Sequence, residues 1–172
     1  IWATMGYTEE RAKVVDYSIP YFKSGVQLLT KKGSDIKSIY DLKGKTVITI
    51  KGTTGAQGLE KLVPEAKQIK FDKTSEALQA LRDDRGVAFA QDDILLYKLV
   101  LDNPGLQVVG EVFNPTDWGI GFRKGEKDIE AFVNLALRQM YCSGYLHSSL
   151  RKWWKGQELD EYLKRIDDMF RQ

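Results

Sequence analysis

Three short stretches carry residue types that could do chemistry together. Arg11 closes the run Thr8-Glu9-Glu10-Arg11, and its planar guanidinium can give two parallel hydrogen bonds to one carboxylate. Gly52-Thr53-Thr54-Gly55 joins the β-branched run Val47–Ile50 to a helical pattern formed by Ala56, Leu59 and Leu62. A strand that feeds a helix through such a turn points unpaired N–H groups and the positive end of the helix dipole outward, which suits an anion. The threonine hydroxyls add donors, and the glycines let a ligand approach the backbone. Gln91-Asp92-Asp93 follows the run Val87–Ala90, where a carboxylate at a strand end can meet a cationic group. Arginine, anion-binding turn and carboxylate together suit a zwitterion: its carboxylate on Arg11 and the N–H groups at Thr54, its ammonium on Asp92. Singly, each has a plainer reading. Arg11 serves as a solvated surface residue, the turn as an ordinary capped connection and Asp92 as a helix cap. The Gly-x4-Gly-Lys-Ser/Thr spacing of the Walker phosphate loop is absent.

Hydrophobic patterning gives the elements that must hold these groups. Ile1–Met5 reads as the end of a strand, and Thr8 caps a short helix. Val14–Phe22 is extended, with Pro20 inside it, and Gly25–Lys31 has strand character. After the central turn come a strand at Gln68–Phe71, a helix capped by Thr74, a strand at Val87–Ala90, a helix capped by Asp92 or Asp93, and a strand at Leu106–Val109. Glu111–Asp117 reads as an irregular loop and Trp118–Arg123 as a strand. A helix over Asp128–Tyr141 presents Ile129, Phe132, Val133, Leu135, Ala136 and Met140 as a broad face for burial. Gly144 breaks it. A second helix reaches Trp153-Trp154, and a third over Glu158–Phe170 carries an apolar stripe. Strand–helix alternation over residues 25–120 predicts an α/β domain with a parallel sheet and ligands at the carboxyl ends of its strands. The flanks, 1–24 and 121–172, hold too few strands for a sheet of their own. They read as parts of a second domain into which the central one is inserted.

Composition narrows the function classes. The chain of 172 residues has net charge +2 from 26 basic and 24 acidic side chains, which argues against a nucleic-acid binder driven by bulk charge. No apolar run is long enough to cross a bilayer. One cysteine, Cys142, permits no internal disulfide, and one histidine, His147, gives no basis for a histidine metal site or a Ser-His-Asp triad. No metal or cofactor is expected. The chain opens on Ile1 without methionine or signal peptide, so it reads as a processed or truncated product.

In order, Ala3-Thr4-Met5-Gly6-Tyr7-Thr8-Glu9-Glu10-Arg11, VVDYSIPYF, DLKGKTV, GTTG, AFAQDD, GIGFRKGE and Lys152-Trp153-Trp154 resemble the type II periplasmic solute-binding proteins, in their polar amino-acid branch. The resemblance implies two α/β lobes joined by two crossing strands, near Lys23–Gln27 and Gly119–Arg123, that close on a ligand like a hinged trap. It makes 1–24 and 121–172 lobe 1 and 25–120 lobe 2. It implies that Arg11 binds the α-carboxylate of an amino acid, with Thr4 and Gly6 touching the α-amino and α-carboxyl groups. It likewise implies that Thr53 and Thr54 complete carboxylate binding, that Asp92 holds the α-ammonium and that Ile50 contacts the ligand side chain. It further implies an exported receptor in the periplasm or at the cell surface, possessing a signal peptide in its precursor. The partners implied are a small amino acid and the membrane permease of an ABC importer, with no nucleic acid and a monomeric state for the complete protein. The family's stretch before the Ile1 position, about half of lobe 1, is expected to be missing. Residues 156–172 extend past the family's usual end, and their stripe is expected to dock on lobe 1. The AFAQDDILL phrase inclines toward the acidic amino-acid branch. Two rivals remain on the same scaffold: a cyclohexadienyl dehydratase-like enzyme, with Asp93 or Glu111 as its acid, and a ligand-sensing module of a larger receptor.

Overall fold

A computed structural model describes residues 1–154 and 157–171. Residues 155, 156 and 172, the last two being the ends of the expected C-terminal extension, lie outside the described residues. The chain divides into two compact units: residues 1–23 with 116–172, and residues 24–115. The sequence reading places those divisions after 24 and 120.

The second unit is built on a five-stranded sheet of order β4-β3-β5-β2-β6, formed by β2 (Phe22–Lys31), β3 (Thr46–Ile50), β4 (Lys67–Phe71), β5 (Ala88–Asp92) and β6 (Leu106–Trp118). β3 runs parallel to β4 and β5, because the helices α2 (Thr54–Leu62) and α3 (Thr74–Arg82) carry the chain back between them. β2 precedes the first such crossover and pairs antiparallel with β5, Leu28 opposite Ala90. The sheet is therefore mixed, with its parallel part at the three strands of the expected alternation.

Period-2 alternation sends side chains to the two faces of this sheet. Val26, Leu28, Val47, Ala88 and Ala90 pack with Leu59 of α2. Leu29, Ile48 and Phe89 pack with Ala77 and Leu81 of α3 and Leu96 of α4 (Asp93–Asp102). Removing one such leucine from water contributes about 1.5–3 kcal/mol. Thr74 is the first residue of α3 rather than its cap; Lys73 holds the cap position without a side-chain bond. The expected loop at Glu111–Asp117 is the second half of β6. Gly110 and Pro115 resemble strand breakers, yet β6 lies at a sheet edge, where proline and a kinked backbone are tolerated.

In the first unit, β1 (Val15–Tyr17) pairs antiparallel with β7 (Gly121–Arg123). The expected strand at Ile1–Met5 is replaced by a turn and a single bridge, Gly6 to Trp118. α1 (Glu9–Ala12) starts on its Thr8 cap. Three helices follow: α5 (Lys127–Cys142), α6 (Tyr145–Trp153) and α7 (Gln157–Phe170). α7 places Tyr162 5.4 Å from the Phe22 ring, and Phe22 lies 5.2 Å from Trp118. His147 of α6 and Tyr141 of α5 both bond Asp167 of α7, at 2.8 and 3.1 Å. The α5 face expected to be buried is largely open. Ile129, Phe132 and Leu135 are exposed, Phe132 at 72%, and Leu137 is the buried apolar residue of that helix. Sequence periodicity marks which face is apolar; a neighbouring element must be there to cover it.

Candidate ligand-binding site

Within the second unit the structure brings Thr53, Thr54 and Asp92 together. Gly52 takes a left-handed conformation, φ 69°, which turns the chain off the end of β3. Thr53 then acts twice. Its hydroxyl donates to the Ile50 carbonyl at 2.8 Å and accepts from the Ala56 N–H at 3.4 Å, which caps α2. Thr54 is the first helical residue. Its buried hydroxyl donates to Asp92 Oδ1 at 3.3 Å.

Close packing of α2 on β5 makes that contact. A Cβ at position 55 would lie 2.9 Å from the Ala90 carbonyl oxygen, so only glycine lets the helix start so near the strand. Asp92 ends β5 and is half-buried, with its N–H donating to Gln91 Oε1 at 2.9 Å. It makes no side-chain cap bond to α4, which sets aside the plain capping reading. Ile50 is half-buried at the end of β3 and packs against the α3 face of the sheet.

Asp93 and Glu111, the acid candidates of the enzyme reading, sit differently. Asp93 is fully buried, and its Oδ1 accepts from the Ser24 hydroxyl and the Ile94 N–H, both at 2.8 Å. Glu111 is exposed on β6.

Within the first unit Gly6 and Arg11 meet. Arg11 Nη1 donates to the Gly6 carbonyl at 2.9 Å, and the Tyr17 hydroxyl donates to the same oxygen at 3.3 Å. Thr8 positions the arginine by accepting from its backbone N–H at 3.1 Å. Burial pushes the Tyr17 hydroxyl above the usual phenol range, outweighing the pull of the Arg11 charge, so it stays a donor. Tyr7 lies edge-on to Tyr17, 5.4 Å between ring centroids. These rings, with Ser18, Pro20, Asp117 and Gly119, line a cleft of about 120 Å³. Thr4 is exposed in the turn before Gly6. Tyr7 and Tyr17 were not singled out from sequence. Both lie in stretches that carry the family resemblance, Tyr7 in Ala3–Arg11 and Tyr17 in VVDYSIPYF, and the fold brings Tyr17 from a separate strand to the Gly6 carbonyl.

Each unit thus presents one polar group of the kind a zwitterion needs: a guanidinium in the first, a helix start against a carboxylate in the second. The family model for bacterial extracellular solute-binding proteins, family 3, matches residues 1–156. The chain belongs to that family. Among its relatives, the ABC transporter glutamine-binding protein GlnH of Bacillus subtilis is 38% identical over 156 residues, covering 90% of this chain and 57% of its own length. A glutamine-binding protein of Geobacillus stearothermophilus is 43% identical over 129 residues, covering 74% of this chain and 49% of its own. The chain thus spans about half the length of the curated relatives it matches. Among solved structures, an ancestral arginine-binding protein bound to glutamine superposes with TM-score 0.83 at 41% identity, covering 88% of this chain and 69% of that one. α7 lies beyond the part of the chain that the family model matches.

Proposed function

We propose that the chain is the receptor of an ABC importer for a polar α-amino acid, exported to the periplasm or cell surface, that binds its ligand without transforming it. The observation that carries this reading is the 3.3 Å meeting of the α2 start with Asp92. It sets donors for a carboxylate beside an acceptor for an ammonium, a pairing that an amino acid's α-carbon supplies on one atom. The two units act as lobe 2 (24–115) and lobe 1 (the remainder). Arg11 takes the α-carboxylate, with Thr4 and Gly6 touching the α-amino and α-carboxyl groups, while Thr53 and Thr54 complete carboxylate binding and Asp92 holds the α-ammonium. Ile50 touches its side chain. Contacts from both lobes stabilise the closed state, which the membrane permease reads. The receptor works as a monomer. Names of relatives that include glutamine, cystine and glutamate/aspartate support an amino-acid ligand. The burial of Asp93 among its hydrogen bonds supports a receptor over a dehydratase, which needs an acid that reaches substrate.

The test is a calorimetric panel of glutamine, glutamate, aspartate, arginine and cystine, with arogenate and prephenate included and their products assayed. One amino acid is expected to bind in the micromolar range or tighter, with no product from either cyclohexadiene. Asp92→Asn keeps the shape but removes the charge that meets the ammonium, and is expected to cost about 2–5 kcal/mol of binding. Turnover of arogenate, or equal affinity in Asp92→Asn, would overturn the reading.

A further inference from the structure

The divisions between the two units fall inside β2, between residues 23 and 24, and inside β6, between 115 and 116. At each division a polar side chain reaches to the first residue of one helix. Asn114, on β6, donates from Nδ2 to the carbonyl of Thr54, the first residue of α2, at 2.8 Å. Ser24, on β2, donates from its hydroxyl to Asp93 Oδ1, on the first residue of α4, at 2.8 Å. The two helices are those that begin after β3 and β5: α2 opens on Thr54, and α4 directly follows Asp92.

Local features show that these contacts shape the chain around them. Asn114 takes a left-handed backbone conformation, φ 46°, which non-glycine residues adopt at a cost that asparagine tolerates best. Gly58 faces it from the next turn of α2, and a Cβ there would lie 2.9 Å from Asn114 Cβ and 3.0 Å from Nδ2. A glycine inside a nine-residue helix lowers its stability, and here it makes room for the asparagine. Ser24 on β2 and Asp93 at the start of α4 are both buried, at 1% and 0% exposure. Next to Ser24, a Cβ on Gly25 would fall 2.2 Å from Val112 Cγ1 and 3.3 Å from the Phe113 carbonyl oxygen. The two strands are thus pressed together within the second unit, one residue from the Ser24 bond and one to two residues from Asn114.

We propose that Asn114 and Ser24 are positioning residues that tie the two strands crossing between the units to the helix starts where ligand binds. A shift at the α2 start moves the Thr54 carbonyl, and through it the β6 backbone at the division. A shift at the α4 start moves Asp93, and through it β2. The ligand part of this inference rests on the receptor reading above. By linkage, whatever the strands do to the helix starts, a ligand at the helix starts does to the strands.

The experiment uses the intact protein and two readouts. The first is amide hydrogen exchange without ligand in Asn114→Gly and Asn114→Asp, both of which keep the left-handed backbone and lose the donor, and in Ser24→Ala with Ser24→Thr as the conservative rescue. Exchange at residues 55–58 is expected to quicken about tenfold in the Asn114 variants, and at 94–97 in Ser24→Ala, with α3 unchanged. Ser24→Thr restores the wild-type rate. Unchanged exchange at the two helix starts, or a rise spread evenly over α2, α3 and α4, overturns the proposal. The second readout is affinity for the amino acid that the wild type binds, expected to fall about tenfold in Asn114→Gly at a temperature well below its melting point. Wild-type affinity in Asn114→Gly overturns the ligand part of the coupling. A wild-type protein that binds no amino acid overturns the receptor reading instead, and the exchange measurement then decides the inference separately.

Discussion

Arg11→Ala is expected to weaken amino-acid binding by about 2–5 kcal/mol, roughly thirty- to several-thousand-fold in affinity. The side chain is held before any ligand arrives. Thr8 fixes its backbone, and Nη1 rests on the Gly6 carbonyl 2.9 Å away. A guanidinium has five donors in a fixed fork, and the bond to Gly6 sets how that fork is turned. A ligand carboxylate that loses this partner would be bound with its charge uncompensated. Arg11→Lys separates charge from geometry: the ammonium keeps the positive charge but cannot form two parallel bonds to one carboxylate. It is expected to bind more weakly than wild type and better than the alanine variant. Titration calorimetry with the ligand identified in the panel measures all three, and thermal melts confirm that they fold. Wild-type affinity in Arg11→Ala would place the carboxylate elsewhere.

Gly55→Ala is expected to damage both stability and binding, although alanine is the better helix former by up to about 1 kcal/mol. The added Cβ would sit 2.9 Å from the Ala90 carbonyl oxygen and 3.4 Å from its carbon. Both are backbone atoms of a buried central strand, which cannot swing aside as a side chain tip can. Forcing a methyl group into such packing costs about 1–3 kcal/mol, so the clash outweighs the propensity. The helix start must lift from β5, which opens the Thr54–Asp92 contact. A fall in melting temperature of about 2–4 °C per kcal/mol is expected for a chain of this size, with affinity weakened about tenfold or more. An alanine variant with wild-type melting and affinity would show that the α2 start tolerates displacement and that its position is not what binds ligand.

The geometry of the candidate site was legible in the sequence to the extent that its contacts are local. Thr53 caps the helix three residues on, and Thr8 caps the helix that carries Arg11; both follow from which residue types bond a nearby N–H. Asp92 followed from its place at the end of a β-branched and alanine-rich strand. What the sequence hid depends on distant partners. Asn114 meets Thr54 across sixty positions, and nothing at Asn114 itself marks that partner. The second half of β6 was hidden for another reason. Its glycine, proline and charges match a loop, and only its place at a sheet edge makes them compatible with a strand. The direction of β2 could not be read from the alternation, because it depends on which neighbour the strand finds. On α5 the pattern gave the apolar face correctly and its burial incorrectly.

The aromatic contact between α7 and the crossing strands has an optical consequence. Trp118 is 5% exposed with its ring against Phe22, whereas Trp2 and Trp153 stand 61% and 69% exposed. With Trp2, Trp153 and Trp154 changed to phenylalanine, the remaining indole is a single fluorophore three residues beyond the division in β6. Its emission wavelength and its accessibility to a neutral quencher then report on the packing at that point. The chain carries its own label where its two halves are joined, and no dye need be attached to watch them.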